Sequence, residues 1–548
     1  MARSAHTDTF ARDNLPPQFL QPEFRFSLPE LRYPERLNCA VEFVDRQVER
    51  GFGARPSIVS PTETVSYAQL LERVNRIANV LTRDLGLQPG NRVLLRGGNG
   101  PMMAAAFLAV VKAGGIAINS MPLLRAREIA FPLTKAKVAL ALCDIRLADD
   151  MKKAGALAPE LARIVCWGEG GPESLESLMA KPGYEHFTAC DTASDDVCLI
   201  AFTSGTTGEP KGTMHYHRDL LAICDSYGKY VLRAGPEDRF IGSPPLAFTF
   251  GLGGLLLFPL RIGAAAILIE RAPPDELIAA IEKYRASVCF TAPTAYRAML
   301  AKLGNHDISS LLKCVSAGEP LPKATWQAWF EATGVRILDG IGSTELLHIF
   351  IGSPEEDLRP GSTGRPVPGY EAKVIDETGH ELPDGTLGRL AVRGPTGCRY
   401  LADQRQTKYV EKGWNITGDT YIRDADGYFW YQARSDDMII SAGYNIAGPE
   451  VESVLLTHPA VSECGVVGAP DADRGQLVKA YVILRAGFVG DAALTKALQD
   501  HVKAEIAPYK YPRAIEYVTS LPRTDTGKLQ RFRLRETAAG QASTKLAS

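Results

Sequence analysis

Between residues 92 and 118 the chain completes a strand, a turn, a helix and a second strand, and no other stretch restricts the fold as much. Arg92-Val-Leu-Leu-Arg96 is a short apolar run, Gly97-Gly-Asn-Gly100 reads as a turn, and Pro101–Lys112 as a helix rich in Met and Ala. Gly114-Gly115 then leads into a second run, Ile116-Ala-Ile118. The segments at 138–143, 264–269 and 288–290 are apolar in the same way, as strands buried on both faces are. Mixed or parallel sheets with helices packed on them follow.

At 548 residues the chain exceeds one ordinary domain, and its character changes after about residue 360. Hairpin signals gather there, at Glu377-Thr-Gly379, Pro383-Asp-Gly385 and Asp424-Ala-Asp-Gly427. A compact set of strands and helices follows Asp436, with a basic tail. The expected class is α/β: a large N-terminal domain of mixed sheets, packed helices and a β-rich subdomain over 1–435, and a small α+β C-terminal domain over 436–548. Residues 538–548 are small and polar and are expected to be disordered.

Charge narrows the partners. Sixty-one basic and 63 acidic side chains leave a net charge of -2, with no pull towards nucleic acid or an anionic membrane, which points to a small-molecule substrate. The ten cysteines are never closer than eight residues, so no CxxC metal or redox spacing exists and scattered reduced core thiols are expected. No apolar stretch follows the N-terminal arginines, and the longest uncharged apolar run, 247–260, is too short to span a bilayer. A cytoplasmic protein, monomer or homodimer, is expected.

The strongest local signal is Thr203-Ser204-Gly205-Thr206-Thr207-Gly208-Glu209-Pro210-Lys211-Gly212, entered from the apolar Ile200-Ala-Phe202. Backbone N–H groups freed by glycine, hydroxyl donors and one cation suit a polyphosphate. The spacing is not that of a Walker A loop.

This loop resembles the phosphate loop of the adenylate-forming superfamily, which includes acyl- and aryl-CoA synthetases, peptide-synthetase adenylation domains and beetle luciferases. The resemblance extends from about residue 60 to 535, with further motifs in the family's order. In Asp339-Gly340-Ile341-Gly342-Ser343-Thr344-Glu345 it implies that Thr344 contacts the α-phosphate, Glu345 holds Mg²⁺, and Asp339 and Gly340 lie against the adenine. Gly318 and Glu319 would form the adenine's other wall, and Asp419 and Arg434 would bind the ribose. Asp436 matches a hinge that makes the small domain mobile, and Gly443 a glycine lining the pantetheine tunnel. Ile440 stands where many relatives carry lysine, so it receives no role. Pro522-Arg-Thr-Asp-Thr-Gly527-Lys528 matches the signature of the catalytic lysine, Lys528. The implied chemistry uses ATP, Mg²⁺ and coenzyme A: a carboxylate attacks the α-phosphorus, pyrophosphate leaves, and CoA thiolate then displaces AMP.

For the acid, 342–350 looks like benzoate-type CoA ligases and 244–253 like the 2-aminobenzoate ligases. By that resemblance Tyr227, Phe248, Phe250, Ile341, Gly342, His348 and Ile349 line a flat, apolar pocket suited to an aromatic ring, its width left by glycines. His348 would either read a ring substituent or be a hydrogen-bonded wall residue. Three competing readings are a medium-chain acyl-CoA synthetase, a peptide-synthetase module, which would need a carrier domain, and an inactive nucleotide-binding regulator, which would show a damaged motif.

Overall fold

The computed structural model describes residues 3–546 except 169, 204–209, 435–436, 442–443, 472–473, 507 and 524–528. Ser204, Gly205, Thr206, Thr207, Gly208, Asp436, Gly443 and Lys528 therefore lie outside the described residues, as does the expected 435/436 boundary.

The 92–118 unit is built as read: parallel strands Arg92–Arg96 and Ile116–Ser120 flank the helix Pro101–Lys112. Proline in the first turn suits the helix start. Every residue from Met103 to Lys112 is buried, so this helix has no solvent face. It shares one core with Val93 and Leu95 of its own sheet and with Phe240 and Phe290 of a second. Helices thus fill the layer between two sheets.

The first sheet has six strands in the order Arg163–Trp167, Leu140–Asp144, Arg92–Arg96, Ile116–Ser120, β1 (Val197–Phe202) and β2 (Gly212–Tyr216). All neighbours are parallel except β1 and β2. Helix α1 (His217–Ile223) leaves directly from β2. The second sheet has eight strands. Four of them bear on the site: β3 (Val288–Thr291), β4 (Lys313–Ser316), β5 (Ile337–Gly342) and β6 (Ile349–Gly352), with only β5–β6 antiparallel.

The β-rich subdomain is a five-stranded antiparallel sheet containing β7 (Trp414–Arg423) and β8 (Phe429–Arg434). Gly379, Gly385 and Gly427, the residues behind the hairpin signals, take φ of 88°, 79° and 81°. No helix among the described residues is long and apolar enough to cross a membrane.

The C-terminal region forms its own five-stranded sheet. Helices Gly448–Leu455 and Ala492–Glu505 share its main core. The expected disorder from 538 is corrected: helix Arg531–Leu546 covers most of that stretch. Leu534 packs against Val467, Tyr481 and Leu521. Ala538, one turn on along the same face, is 2% exposed. Alanine favours helix strongly, and this face has a sheet to dock on.

Candidate active site

β1 and β2 are joined by the loop 203–211, whose described ends are clamped together. Thr203 N–H donates to the Lys211 carbonyl at 2.9 Å, and Lys211 N–H reaches Thr203 Oγ1 at 3.3 Å. Lys211 Nζ donates to Tyr400 OH at 3.1 Å and lies 5.0 Å from the centre of that ring. The Tyr400 hydroxyl donates in turn to Glu345 Oε1 at 2.5 Å. Lys211 Nζ stands 3.9 Å from the same oxygen. Cation, phenol and carboxylate thus converge from three distant parts of the chain. Sequence reasoning missed Tyr400, which lies 189 residues from Lys211 and carries no local signal.

Thr344 and Glu345 sit on the turn between β5 and β6. The Thr344 carbonyl closes it by accepting Leu347 N–H at 3.2 Å. Leu347 takes φ 73°, a left-handed value costly for a branched side chain. Ser343 Oγ accepts Leu346 N–H at 3.2 Å, and the Leu346 carbonyl accepts from Thr396 Oγ1 at 2.7 Å. His348 follows immediately, so one strained turn carries Thr344, Glu345 and His348. The Glu345 carboxylate is a hard oxygen donor, which suits Mg²⁺ completed by phosphate oxygens and water.

Asp419 on β7 lies directly opposite Arg434 on β8, with Nη1 to Oδ1 at 3.4 Å. The carboxylate is buried while the Arg434 side chain is 50% exposed. Gly418 bends the strand between Thr417 and Asp419 at φ 77°. A carboxylate and a guanidinium arranged in this way can share a diol. At the other wall Gly318 takes φ 91°, and Glu319 Oε1 meets Arg523 Nη1 at 3.5 Å. Asp339 pairs with Ser316 across β4 and β5. Burial pushes its carboxyl well above the ordinary range, and the nearby Gly340 N–H and Ser316 hydroxyl offset this only in part. Arg523 and Leu529 form a bridge, and Gln530 N–H donates to the Pro522 carbonyl at 2.9 Å. The two ends of the segment that contains Lys528 therefore meet, and Arg523 ties them to Glu319.

The aromatic side is a cluster around His348. The ring centres of Phe258, Tyr227, Phe250 and Phe290 lie 4.6, 5.6, 5.6 and 6.4 Å from its imidazole. Tyr227, Phe250 and His348 were expected; Phe258 and Phe290 were missed, since an apolar run such as β3 signals burial and not a site. Phe248 caps the short helix Thr249–Leu252 and is half-buried. Ile341 is half-buried, Gly342 is exposed, and Ile349 is buried. The expected use of the glycines needs correction. A Cβ at Gly253 would lie 2.4 Å from His348 Cδ2, and one at Gly340 2.6 Å from Ile349 Cγ2. Those glycines make room for the protein's own side chains.

Neither ring nitrogen of His348 has a hydrogen-bond partner among the described residues, and neither has the Tyr227 hydroxyl. Burial lowers the His348 pKa to about 3, and the Phe250 backbone offsets little of it. Burial, with the Asp339 charge behind it, pushes the Tyr227 phenol well up. The site thus offers a neutral imidazole and a neutral phenol within an apolar cage.

All ten cysteines are free. Cys39, Cys198 and His217 do converge, their ligating atoms all within 4.8 Å of one another. His217 Nδ1 already accepts the Cys39 N–H at 3.1 Å, which spends the lone pair a metal would need. This group is a core contact that sequence spacing did not reveal.

Comparison with known proteins places these features in context. Residues 44–400 match the family described as AMP-binding enzyme, and 450–528 match the AMP-binding enzyme C-terminal domain. The benzoate–CoA ligase of Thauera aromatica is 38% identical over 516 residues, covering 92% of this chain and 97% of that protein. The solved anthranilate CoA ligase AuaEII in complex with anthranoyl-AMP superimposes with a TM-score of 0.90 at 36% identity, covering 94% of this chain and all of that one. A benzoate CoA ligase from Burkholderia xenovorans gives a TM-score of 0.81 at 32% identity, over 91% of this chain and 100% of its own.

Proposed function

The chain belongs to the AMP-binding enzyme family, and from that premise we propose that it is an ATP-dependent, AMP-forming aryl-CoA ligase acting on a single-ring aromatic carboxylate. The observation that carries this reading is the cage of Tyr227, Phe250, Phe258 and Phe290 around His348, set at the end of the turn that bears Thr344 and Glu345. An aromatic ring is held by such edges and faces, and the adjoining turn brings the reacting carboxylate to the nucleotide groups. Likeness to benzoate and anthranilate ligases supports it. The acid is 2-aminobenzoate ahead of benzoate: a neutral imidazole with no hydrogen-bond partner among the described residues has one bare nitrogen, which accepts from an ortho amine.

The protein's part is positioning and charge stabilisation, because the reacting bonds are all in the substrates. The carboxylate attacks the α-phosphorus of ATP, pyrophosphate leaves, and CoA thiolate then displaces AMP. Lys211, with Thr203 and the rest of its loop, binds the phosphates. Asp419 and Arg434 hold the ribose, and Gly318, Glu319, Asp339 and Gly340 flank the adenine. Thr344 orients the α-phosphate, and Glu345 would hold Mg²⁺, which neutralises phosphate charge when bound. Lys528 bridges carboxylate and phosphate in the first half-reaction; Asp436 is the hinge and Gly443 lines the pantetheine path in the second. The domain boundary proposed at 435/436 serves that swing. Pyrophosphate release with benzoate, 2-aminobenzoate and octanoate tests the reading. Faster turnover of octanoate than of either benzoate would overturn the aromatic assignment.

A further inference from the structure

His215 lies in β2, the strand that leaves the phosphate loop, and its side chain is wholly buried. Its Nε2 is 2.9 Å from the Thr344 carbonyl. A carbonyl only accepts, so Nε2 carries the proton and Nδ1 is bare. Nδ1 faces the Asp219 carboxylate at 3.9 Å without a hydrogen bond. Burial lowers the ring's pKa to about 4, with Arg399 opposing its charge and Asp219 favouring it. The imidazole is therefore neutral, in a single tautomer.

The groups behind it hold that ring in place. Asp219 on α1 takes its counter-charge from Arg399, Nη1 to Oδ2 at 2.7 Å, with both side chains wholly buried. Asp219 Oδ2 also accepts the Tyr216 N–H at 3.0 Å. The Arg399 guanidinium lies 3.7 Å from the centre of the Tyr216 ring and 4.2 Å from that of Phe24. The end of β2 and the start of α1 are thus tied to the segment that presents Tyr400. The Thr344 carbonyl, in turn, takes both the Leu347 N–H that closes the strained turn and the His215 N–H.

We propose that His215 is a positioning residue for adenylation: its single N–H sets the Thr344–Glu345 peptide against the phosphate loop from which its own strand emerges. This rests on the reading of the site as an adenylating centre. Without that donor the Thr344 carbonyl keeps only Leu347 among the described residues, and Thr344 and Glu345 lose their register with Lys211. The effect falls on the chemical step, since the ribose and adenine contacts are made elsewhere.

The test uses His215→Gln, His215→Asn and His215→Leu in the full chain. A glutamine amide places its N–H where imidazole Nε2 stands; asparagine is too short and leucine has no donor. ATP–pyrophosphate exchange with 2-aminobenzoate gives kcat and the KM for ATP, and melting midpoints monitor folding. The expected result is a kcat lower by about ten- to a hundredfold for Leu and Asn, the scale of a small misplacement at a reacting centre. Their KM for ATP stays within about threefold, and Gln recovers most of kcat. Unchanged kcat in Leu, or equal losses in Gln and Asn, would overturn the proposal, and the Gln–Asn comparison decides if Leu fails to fold. A wild type without any exchange activity would overturn the adenylating reading itself.

Discussion

Replacing Tyr400 by phenylalanine removes one oxygen from the centre of the site and leaves the ring under the Lys211 ammonium. The lost hydroxyl donates to Glu345 Oε1 at 2.5 Å and accepts from Lys211 Nζ at 3.1 Å. Hydrogen bonds to charged groups contribute about 1.5–3 kcal/mol each. Lys211 and Glu345 are already 3.9 Å apart. At that distance their attraction is about 4 kcal/mol for an effective dielectric of ~20, before desolvation, so the pair closes once the phenol is gone. Closure offsets part of the loss, yet it turns the cation from phosphate and the carboxylate from the metal. A net cost of about 1.4–2.8 kcal/mol corresponds to about ten- to a hundredfold in kcat/KM for ATP. ATP–pyrophosphate exchange across a Mg²⁺ titration measures this, with half-saturating Mg²⁺ raised severalfold. Activity within about twofold of wild type at every Mg²⁺ concentration would refute the reasoning, since that is under ~0.5 kcal/mol.

His348→Ala should cost 2-aminobenzoate about 1–2 kcal/mol more than benzoate in kcat/KM, and parallel losses would leave His348 a wall residue. Gly253→Ala puts a Cβ 2.4 Å from His348 Cδ2. The expected overpacking penalty is about 1–3 kcal/mol, seen as a lower melting midpoint and poorer use of aromatic acid with the KM for ATP unmoved; wild-type values of both would contradict it. Acid should destabilise the fold early. Burial lowers the pKa of His6 and His215 to about 4 and of His348 to about 3, from 6.5. The unfolded chain binds protons below pH 6.5 that the folded chain refuses. Stability is therefore full above 6.5 and falls by about 1.4 kcal/mol per pH unit for each group down to the folded values. Urea unfolding at pH 7, 6 and 5 checks this, and equal stability at all three would contradict it.

Local pattern made the 92–118 unit legible, because a buried strand, glycine turn and apolar helix leave few alternatives at that spacing. The Asp419–Arg434 pair was legible as a motif, and strand pairing then explains its approach. Tyr400, Phe258, Phe290 and His215 were not, since each joins the site through contacts that cross sheets or subdomains. The pocket glycines were read as leaving width for the substrate, but at Gly340 what fills the space is the protein's own Ile349. The helix through 538–546 was misread because small residues favour helix and coil alike, and only the sheet beneath Leu534 and Ala538 decides between them.

The central proposal, passage through an aryl-adenylate, is tested most directly with 2-aminobenzoate carrying ¹⁸O in its carboxylate, incubated with ATP, Mg²⁺ and CoA. Attack on the α-phosphorus followed by displacement at the acyl carbon leaves one carboxylate oxygen on AMP and the other in the thioester carbonyl. The expected result is AMP with one ¹⁸O, unlabelled pyrophosphate, and 2-aminobenzoyl-CoA in equal amount to AMP. Unlabelled AMP, or label in a released phosphate, would contradict it.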